Sequence, residues 1–548
     1  MKTKSSESNG FVFCDGDKYS RRKFLTNCAK GIGTVSVLSA FAGMVIPESL
    51  KAAASAASGA KGAGAAKPAM KVRVVFATIG PVAQEPCWPN IGFDFTPVME
   101  KYMTYLSAGC PRIEFVQSMV DSPKQAEALV AEDNAAGGID GYLLIHLVSK
   151  VHGSVKPLVA SGKPVLYADV PYSGTGGFVG DNAAQIRSQA PNYAFMSSRD
   201  LGHVVAAANC FLLTRGAGGN KAFADGVAKV RRDAVAKVKP DMTCVEDKFD
   251  ILSIDELRKE LKGKKILTYE KDNWRNIIQP TRDLLGIEIV SRPFSELNDM
   301  AAKIDKDKAL EVVDMWKNGA EAIVGVRDRT LEKSARLYLA MKQSMEKYGA
   351  CAITTDCLNG VYSGEIDAYP CLGFHQLINE GTIGACECDT MSTVTMVVMS
   401  TLTKGRPGYI SDPVLDVANK QICYAHCVAT DRPFGPQGAV VPFTIMTHSE
   451  DRQGASVRST LPVGYMTTTL EINPAAKAIL LHQAKTVGNS TEDRACRTKL
   501  LAVPVGDFEK LFTQWDKWGW HRVTYYGDLK APVVALADSL GWQVIEEA

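Results

Sequence analysis

Hydrophobic positions along this chain follow three successive rhythms. From Val72, the apolar runs 72–77, 113–116, 141–145 and 164–168 alternate with segments rich in Ala and charge, such as 125–130. Short, nearly continuous apolar strands between helices predict a parallel sheet covered on both faces. A charged, mostly helical span over 197–263 leads into a second series of the same kind, with strands at 265–269, 287–290, 322–326 and 352–355 and a last one just before Glu387. After Gly405 the runs become short and β-like, at 422–426, 440–445, 455–458 and 465–470, and Gly and Pro separate them. That spacing predicts an antiparallel barrel or sandwich. A final α/β fragment runs from Trp520 through Asp528 into a helix at 533–537.

The fold class that follows is α/β: two tandem parallel-sheet α/β domains, then a C-terminal, mostly antiparallel β-barrel domain. The boundaries fall at 71–263, 264–405 and 406–548. Gly174 to Gly180 lacks the spacing of a dinucleotide-binding fingerprint and reads as loop. Two α/β domains side by side leave a crevice, a common place for a small ligand.

Ahead of this body, Ser20-Arg21-Arg22-Lys23-Phe24-Leu25 is a twin-arginine pattern. A weakly apolar stretch to Pro47 and the small-residue run Ala52–Ala57 follow it. Charged, apolar and small regions in that order read as a bacterial signal peptide over 1–57, so the expected location is periplasmic or otherwise exported. Residues 58–70, rich in Gly and Ala, read as a flexible linker.

Composition narrows the class. The 548 residues are 46% hydrophobic and 22% charged, with a net charge of +2. These are values of a globular protein without a bulk electrostatic case for nucleic acid. No run beyond the N-terminal region is long and apolar enough to span a membrane. The 14 cysteines lack the paired C-x-x-C spacing of a structural zinc site. Most read as small buried hydrophobes.

The chemistry concentrates in Gly384-Ala385-Cys386-Glu387-Cys388-Asp389-Thr390-Met391. Two carboxylates one residue apart stand where a strand gives way to a helix, and ligands collect at the carboxyl ends of strands in α/β sheets. Asp389 reads equally well as the helix N-cap. Among the histidines, His426 and His448 lie in or beside C-terminal strands and are candidates to touch substrate. His146, His203, His375 and His482 read as structural. Trp88 and Trp520 could each stack on a ligand or simply pack in the interior.

Ala385-Cys386-Glu387-Cys388-Asp389, then Ile422-Cys423-Tyr424-Ala425-His426-Cys427, then Trp520-His521 with Tyr526-Gly527-Asp528 occur in an order that resembles the L-fucose isomerase and L-arabinose isomerase superfamily. The resemblance implies an oligomeric enzyme, here a homo-oligomer. It also implies a divalent metal, usually Mn2+, held by two carboxylates and a histidine around an open-chain carbohydrate. Carried over, Asp389 matches the second family carboxylate and His521 the histidine, with Glu387 beside them as a further ligand. The first carboxylate is expected near Tyr369 or Cys371, with Asp356, Glu365 and Asp367 the nearby acids. The implied activity is aldose–ketose isomerisation through an enediolate, with Glu387, Asp389 and Asp356 as catalytic acids. A noncatalytic exported sugar-binding protein and a different metal-dependent enzyme acting on a modified sugar are the alternatives.

Overall fold

The computed structural model describes residues 69–270 and 275–548. The twin-arginine segment and the linker as far as residue 68 lie outside the described residues.

The first apolar series forms β1 (Met70–Ala77), β2 (Ile113–Val120), β3 (Gly141–His146), β4 (Val165–Asp169) and β5 (Tyr193–Met196). They make one parallel sheet in the order β2-β1-β3-β4-β5. All six residues of β3 and all five of β4 are buried, which explains why these strands read as unbroken apolar runs. Residues 174–180, expected as loop, instead open the helix Thr175–Ser188. The glycines are there for close packing: a Cβ on Gly174 would fall 1.9 Å from the carbonyl oxygen of His146.

The second series gives β6 (Lys265–Tyr269), β7 (Glu288–Arg292), β8 (Ala322–Val324), β9 (Ala352–Thr355) and β10 (Ile383–Ala385). Four of these form a parallel sheet ordered β10-β9-β6-β7. β8 departs from the expectation. It pairs with β13 (Phe443–Met446), which also pairs with β14 (Ser456–Ser459), so an apolar run that looked like a sheet member is an exposed strand outside that sheet.

The C-terminal region closes into a barrel. Its strands are β11 (Tyr409–Asp416), β12 (Gln421–His426), β15 (Met466–Asn473), β16 (Ala478–Asn489), β17 (Thr498–Pro504) and β18 (Arg522–Tyr526). They run antiparallel in the order β15-β18-β11-β12-β17-β16, and β16 returns to β15. A last strand, β19 (Gln543–Glu546), adds parallel to β16. The fragment from Trp520 is strand, helix and strand as expected, and its first strand, β18, is an interior strand of the barrel. The helix Thr390–Leu402, buried over most of its length, packs against β15 and carries the chain from the second sheet into the barrel. No helix among the described residues is long and apolar enough to cross a membrane.

Candidate functional site

β10 ends at Ala385, and the chain then makes a tight reversal. Glu387 and Cys388 both adopt left-handed backbone, with φ of +59° and +50°. Non-glycine residues in this region cost about 1–3 kcal/mol each. The turn is held because the Cys388 amide donates to the carbonyl of Thr355, at the end of β9, at 2.7 Å. Asp389 then caps the helix Thr390–Leu402, its Oδ1 accepting from the Ser392 amide at 3.0 Å. The strained pair and the cap together turn Glu387 toward the barrel mouth.

There it meets His521. Its Nδ1 donates to Asp389 Oδ2 at 2.9 Å, while Nε2 faces Asp412 Oδ1 at 3.3 Å and Glu387 Oε2 at 3.7 Å. Asp412 arrives through sheet register. β11 and β18 pair Ser411 with Arg522, so the next step places Asp412 across from His521. On its other side, β11 pairs Asp412 with Ala425, which brings His426 alongside: its Nδ1 is 3.8 Å from Asp412 Oδ2, and its ring centroid is 5.2 Å from that of His521.

The polar network continues behind the site. Ser392 Oγ lies 3.0 Å from Asp389 Oδ2 and 2.7 Å from Glu471 Oε1, a carboxylate with no solvent exposure. A hydroxyl has one proton to give, so two ionised carboxylates cannot both be satisfied by it. Burial, then the charge of Asp389, push Glu471 up to about 8. Glu471 is therefore the protonated partner, donating to Ser392, which donates to Asp389, which accepts from His521. Burial opposes ionisation of Asp389, but the hydrogen bond and charge of His521, with the Ser392 bonds, hold it below the usual carboxylate range. Burial disfavours a charged His521, yet Asp412, Asp389 and Glu387 keep it well above an ordinary histidine. Glu387 is raised, first by burial and then by Asp412, against the pull of His521.

Of these groups, Glu387, Asp412 and His426 line a cavity of about 260 Å³, with His521 and Asp389 behind them. Trp88, Lys150 and His152 reach it from loops of the first sheet; Asn359 and Tyr362 come from the helix Cys357–Ser363; His448 and Glu450 follow β13. The cavity thus draws on both α/β sheets and the barrel, not only on a cleft between the two sheets. Trp520, 44% exposed, stacks on His152 at its edge with ring centroids 6.3 Å apart. Glu450 Oε2 accepts from the Tyr362 hydroxyl at 3.0 Å, and burial raises its pKa.

The structure therefore brings together Glu387, Asp389, His521, His426 and His448, with Trp88 and Trp520 at the cavity wall. It places Asp389 behind His521, with Asp412 in front. Asp356 stands back from the cavity, both of its oxygens accepting from Asn359 Nδ2 at 2.9 and 3.0 Å. Around the expected position of the first carboxylate, Tyr369 donates to Asp451, Glu365 accepts from Ser363 at 3.1 Å and Asp367 pairs with Lys333 at 2.7 Å. Glu387 itself supplies the first acid facing the imidazole. Asp412 went unread because Asp412-Pro413 interrupts what would otherwise scan as a strand. Its one sequence signal is an acid in the apolar run Tyr409–Leu415.

In donor type, Glu387, Asp412 and His521 match a hard divalent cation. His521 Nε2 is a buried ring nitrogen aimed at two carboxylates, 3.3 Å from Asp412 and 3.7 Å from Glu387, while Asp389 fixes the ring from behind. A carboxylate–histidine arrangement of this kind orients a ligating imidazole, and oxygen donors with one imidazole suit manganese or magnesium.

Fold and site thus define an α/β–barrel scaffold in which Glu387 and Asp412 line a cavity and face the imidazole of His521. Among curated proteins, the chain is similar to a sulfoquinovose isomerase from Clostridium sp. (strain MSTE9), 24% identical over 269 residues that cover 46% of this chain and 57% of that protein. It is also similar to a sulfoquinovose isomerase from Alkalicoccus urumqiensis, 26% identical over 103 residues, or 19% of this chain and 23% of that one. The matched stretch thus spans little more than half the length of the first relative and about a quarter of the second. No protein-family model matches the chain. An ABC transporter solute-binding protein from Burkholderia multivorans aligns at 13% identity over 61% of this chain and 93% of that one, with a TM-score of 0.18, which carries no argument.

Proposed function

We propose that this protein is a metal-dependent sugar isomerase that interconverts an aldose and a ketose through an enediolate. The observation that carries the proposal is His521 Nε2 facing Asp412 and Glu387 at 3.3 and 3.7 Å while Asp389 holds Nδ1 at 2.9 Å. Glu387, Asp412 and His521 would hold the cation, manganese in this proposal, and Asp389 is a positioning residue. Bound there, a divalent cation supplies Lewis-acid stabilisation of negative charge developing on sugar oxygens. Isomerisation also needs a group that takes a proton from one carbon and returns it to its neighbour. Glu450 suits that step: it lines the cavity, burial raises its pKa above the usual carboxylate range, and Tyr362 fixes Oε2. Trp88 and Trp520 offer apolar faces against which a sugar ring or chain can lie.

The sulfoquinovose isomerase relatives support a sugar as substrate and make sulfonated aldoses the first to try. Export through the twin-arginine pathway and homo-oligomeric assembly complete the proposal, resting on residues 20–25 and on the family resemblance. The test is solvent-deuterium incorporation into a panel of aldoses and ketoses, sulfoquinovose included, followed by NMR with Mn2+-loaded protein. The expected result is exchange at the carbon next to the carbonyl. Asp412→Asn should abolish both Mn2+ binding and exchange, whereas Glu450→Gln should keep Mn2+ binding and lose exchange. Metal-replete protein that exchanges no proton of any sugar would overturn the assignment.

A further inference from the structure

Asp412 has two oxygens, and they face different neighbourhoods. Oδ1 looks toward His521; Oδ2 lies 3.8 Å from His426 Nδ1 and 3.9 Å from the Cys496 thiol. Donor atoms of Asp412, His426 and Cys496 all lie within 4.8 Å of one another. His426 is 1% exposed, and neither of its ring nitrogens has a hydrogen-bond partner. Leaving one buried polar atom unsatisfied is costly, and two on one ring call for an explanation. Cys496 is also hydrogen-bonded to Cys427, so a second thiol stands beside the first, and both line the cavity.

We propose that Asp412 Oδ2, His426 and Cys496, with Cys427 as the adjacent fourth donor, form a second cation site, selective for a thiophilic metal such as zinc. Thiolate and imidazole donors select zinc and cuprous copper over manganese and magnesium, which prefer oxygen. Four donors of this mixture match the tetrahedral preference of zinc. The separations are somewhat wider than bonded ligands require, so modest side-chain rotation closes the shell. Ligation would supply partners to His426 and release the thiol proton to solvent. The site goes beyond the isomerase reading: it shares Asp412 with the oxygen-rich centre but stands on a different face of that carboxylate. A competing grouping, Cys386, Glu387 and His426, also falls within 4.8 Å. It would take Glu387 away from His521, so the Asp412 grouping is preferred.

The experiment is a titration of the metal-free full chain with Co2+, followed by thiolate-to-cobalt charge-transfer absorption in the near ultraviolet. The band should appear in the unaltered protein and in Glu387→Gln, which damages only the oxygen-rich centre. In the double variant Cys427→Ser, Cys496→Ser it should be lost, and Cys496→Ser alone should weaken it and reduce cobalt affinity by more than about tenfold, the least that losing even an outer partner costs. No band in the unaltered protein, or a band that survives the double variant but disappears in Cys386→Ser, overturns the proposal. Zinc X-ray absorption on the unaltered protein is independent of whether any variant folds. It should show sulfur at about 2.3 Å, and a shell of oxygen and nitrogen alone overturns the site. Absent sugar exchange with the cobalt band intact would sink the isomerase reading and leave this one standing.

Discussion

Replacing Asp389 by asparagine tests how the centre is held. Three donors converge on its two oxygens: the Ser392 amide on Oδ1, and the Ser392 hydroxyl and His521 Nδ1 on Oδ2. An asparagine has one oxygen and one NH2 group for the same positions. If its oxygen faces His521, the NH2 opposes the Ser392 amide and the helix Thr390–Leu402 loses its cap, a cost of about 1 kcal/mol. If its oxygen faces Ser392, the NH2 points at His521 Nδ1 and drives the ring proton to Nε2. The Nε2 lone pair that would ligate a cation is then gone. Loss of such an outer partner typically lowers metal affinity about 10- to 100-fold, or about 1.4–2.8 kcal/mol. Asp389→Asn should therefore show either a weakened Mn2+ affinity by isothermal titration calorimetry or a lowered thermal midpoint without metal. A variant that matches the unaltered protein in both measurements would refute the proton count on which the arrangement rests.

Two further predictions follow from buried carboxylates. Glu471 is raised from 4.5 to about 8, so the folded state keeps a proton that the unfolded chain releases, and stability should fall as pH rises between those values. The shift corresponds to roughly 5 kcal/mol at most. Glu471→Gln, which still has an N–H to give Ser392, should remove that decline in urea melts across the range; an unchanged slope would count against it. Glu547 has the opposite sign. Burial alone would raise it, but the Arg522 guanidinium and His482 outweigh burial and leave it at about 2. Its contribution, roughly 3 kcal/mol, should be present above pH 4.5 and lost as pH falls through about 2. Glu547→Gln should lower stability at neutral pH, because Arg522 loses its bidentate partner, and should flatten the acid limb of the curve.

Much of this architecture is legible in the chain because its signals are local. Buried parallel strands such as β3 and β4 advertise themselves as apolar runs, and a strand, an acidic turn and a helix in succession locate Glu387 and Asp389. What stays hidden is set by pairing between distant segments. Asp412 matters only because β11 lies against β18, and its Pro413 neighbour masks the strand. β8 has the composition of a sheet member, but its partner lies in the barrel region. Cys427 and Cys496 look like small hydrophobes one at a time; only the β12–β17 pairing and the loop before β17 bring them together. Of the readings of Asp389, the helix cap is what the structure shows with Oδ1, while Oδ2 holds the His521 imidazole from behind, a contact that only the distant pairing of β18 creates.

The placement of His521 immediately before a strand flanked by β15 and β11 has a kinetic consequence. Its partners Glu387 and Asp412 are made long before it during synthesis, and they meet the imidazole only when β18 inserts and the barrel seam closes. Such long-range pairing is intrinsically slow. A cation that needs all three donors binds the closed barrel and not the open chain, so it stabilises in proportion to the logarithm of its concentration. Metal uptake during refolding would therefore serve as a clock for barrel closure, distinct from optical signals that report the earlier collapse of the two parallel sheets.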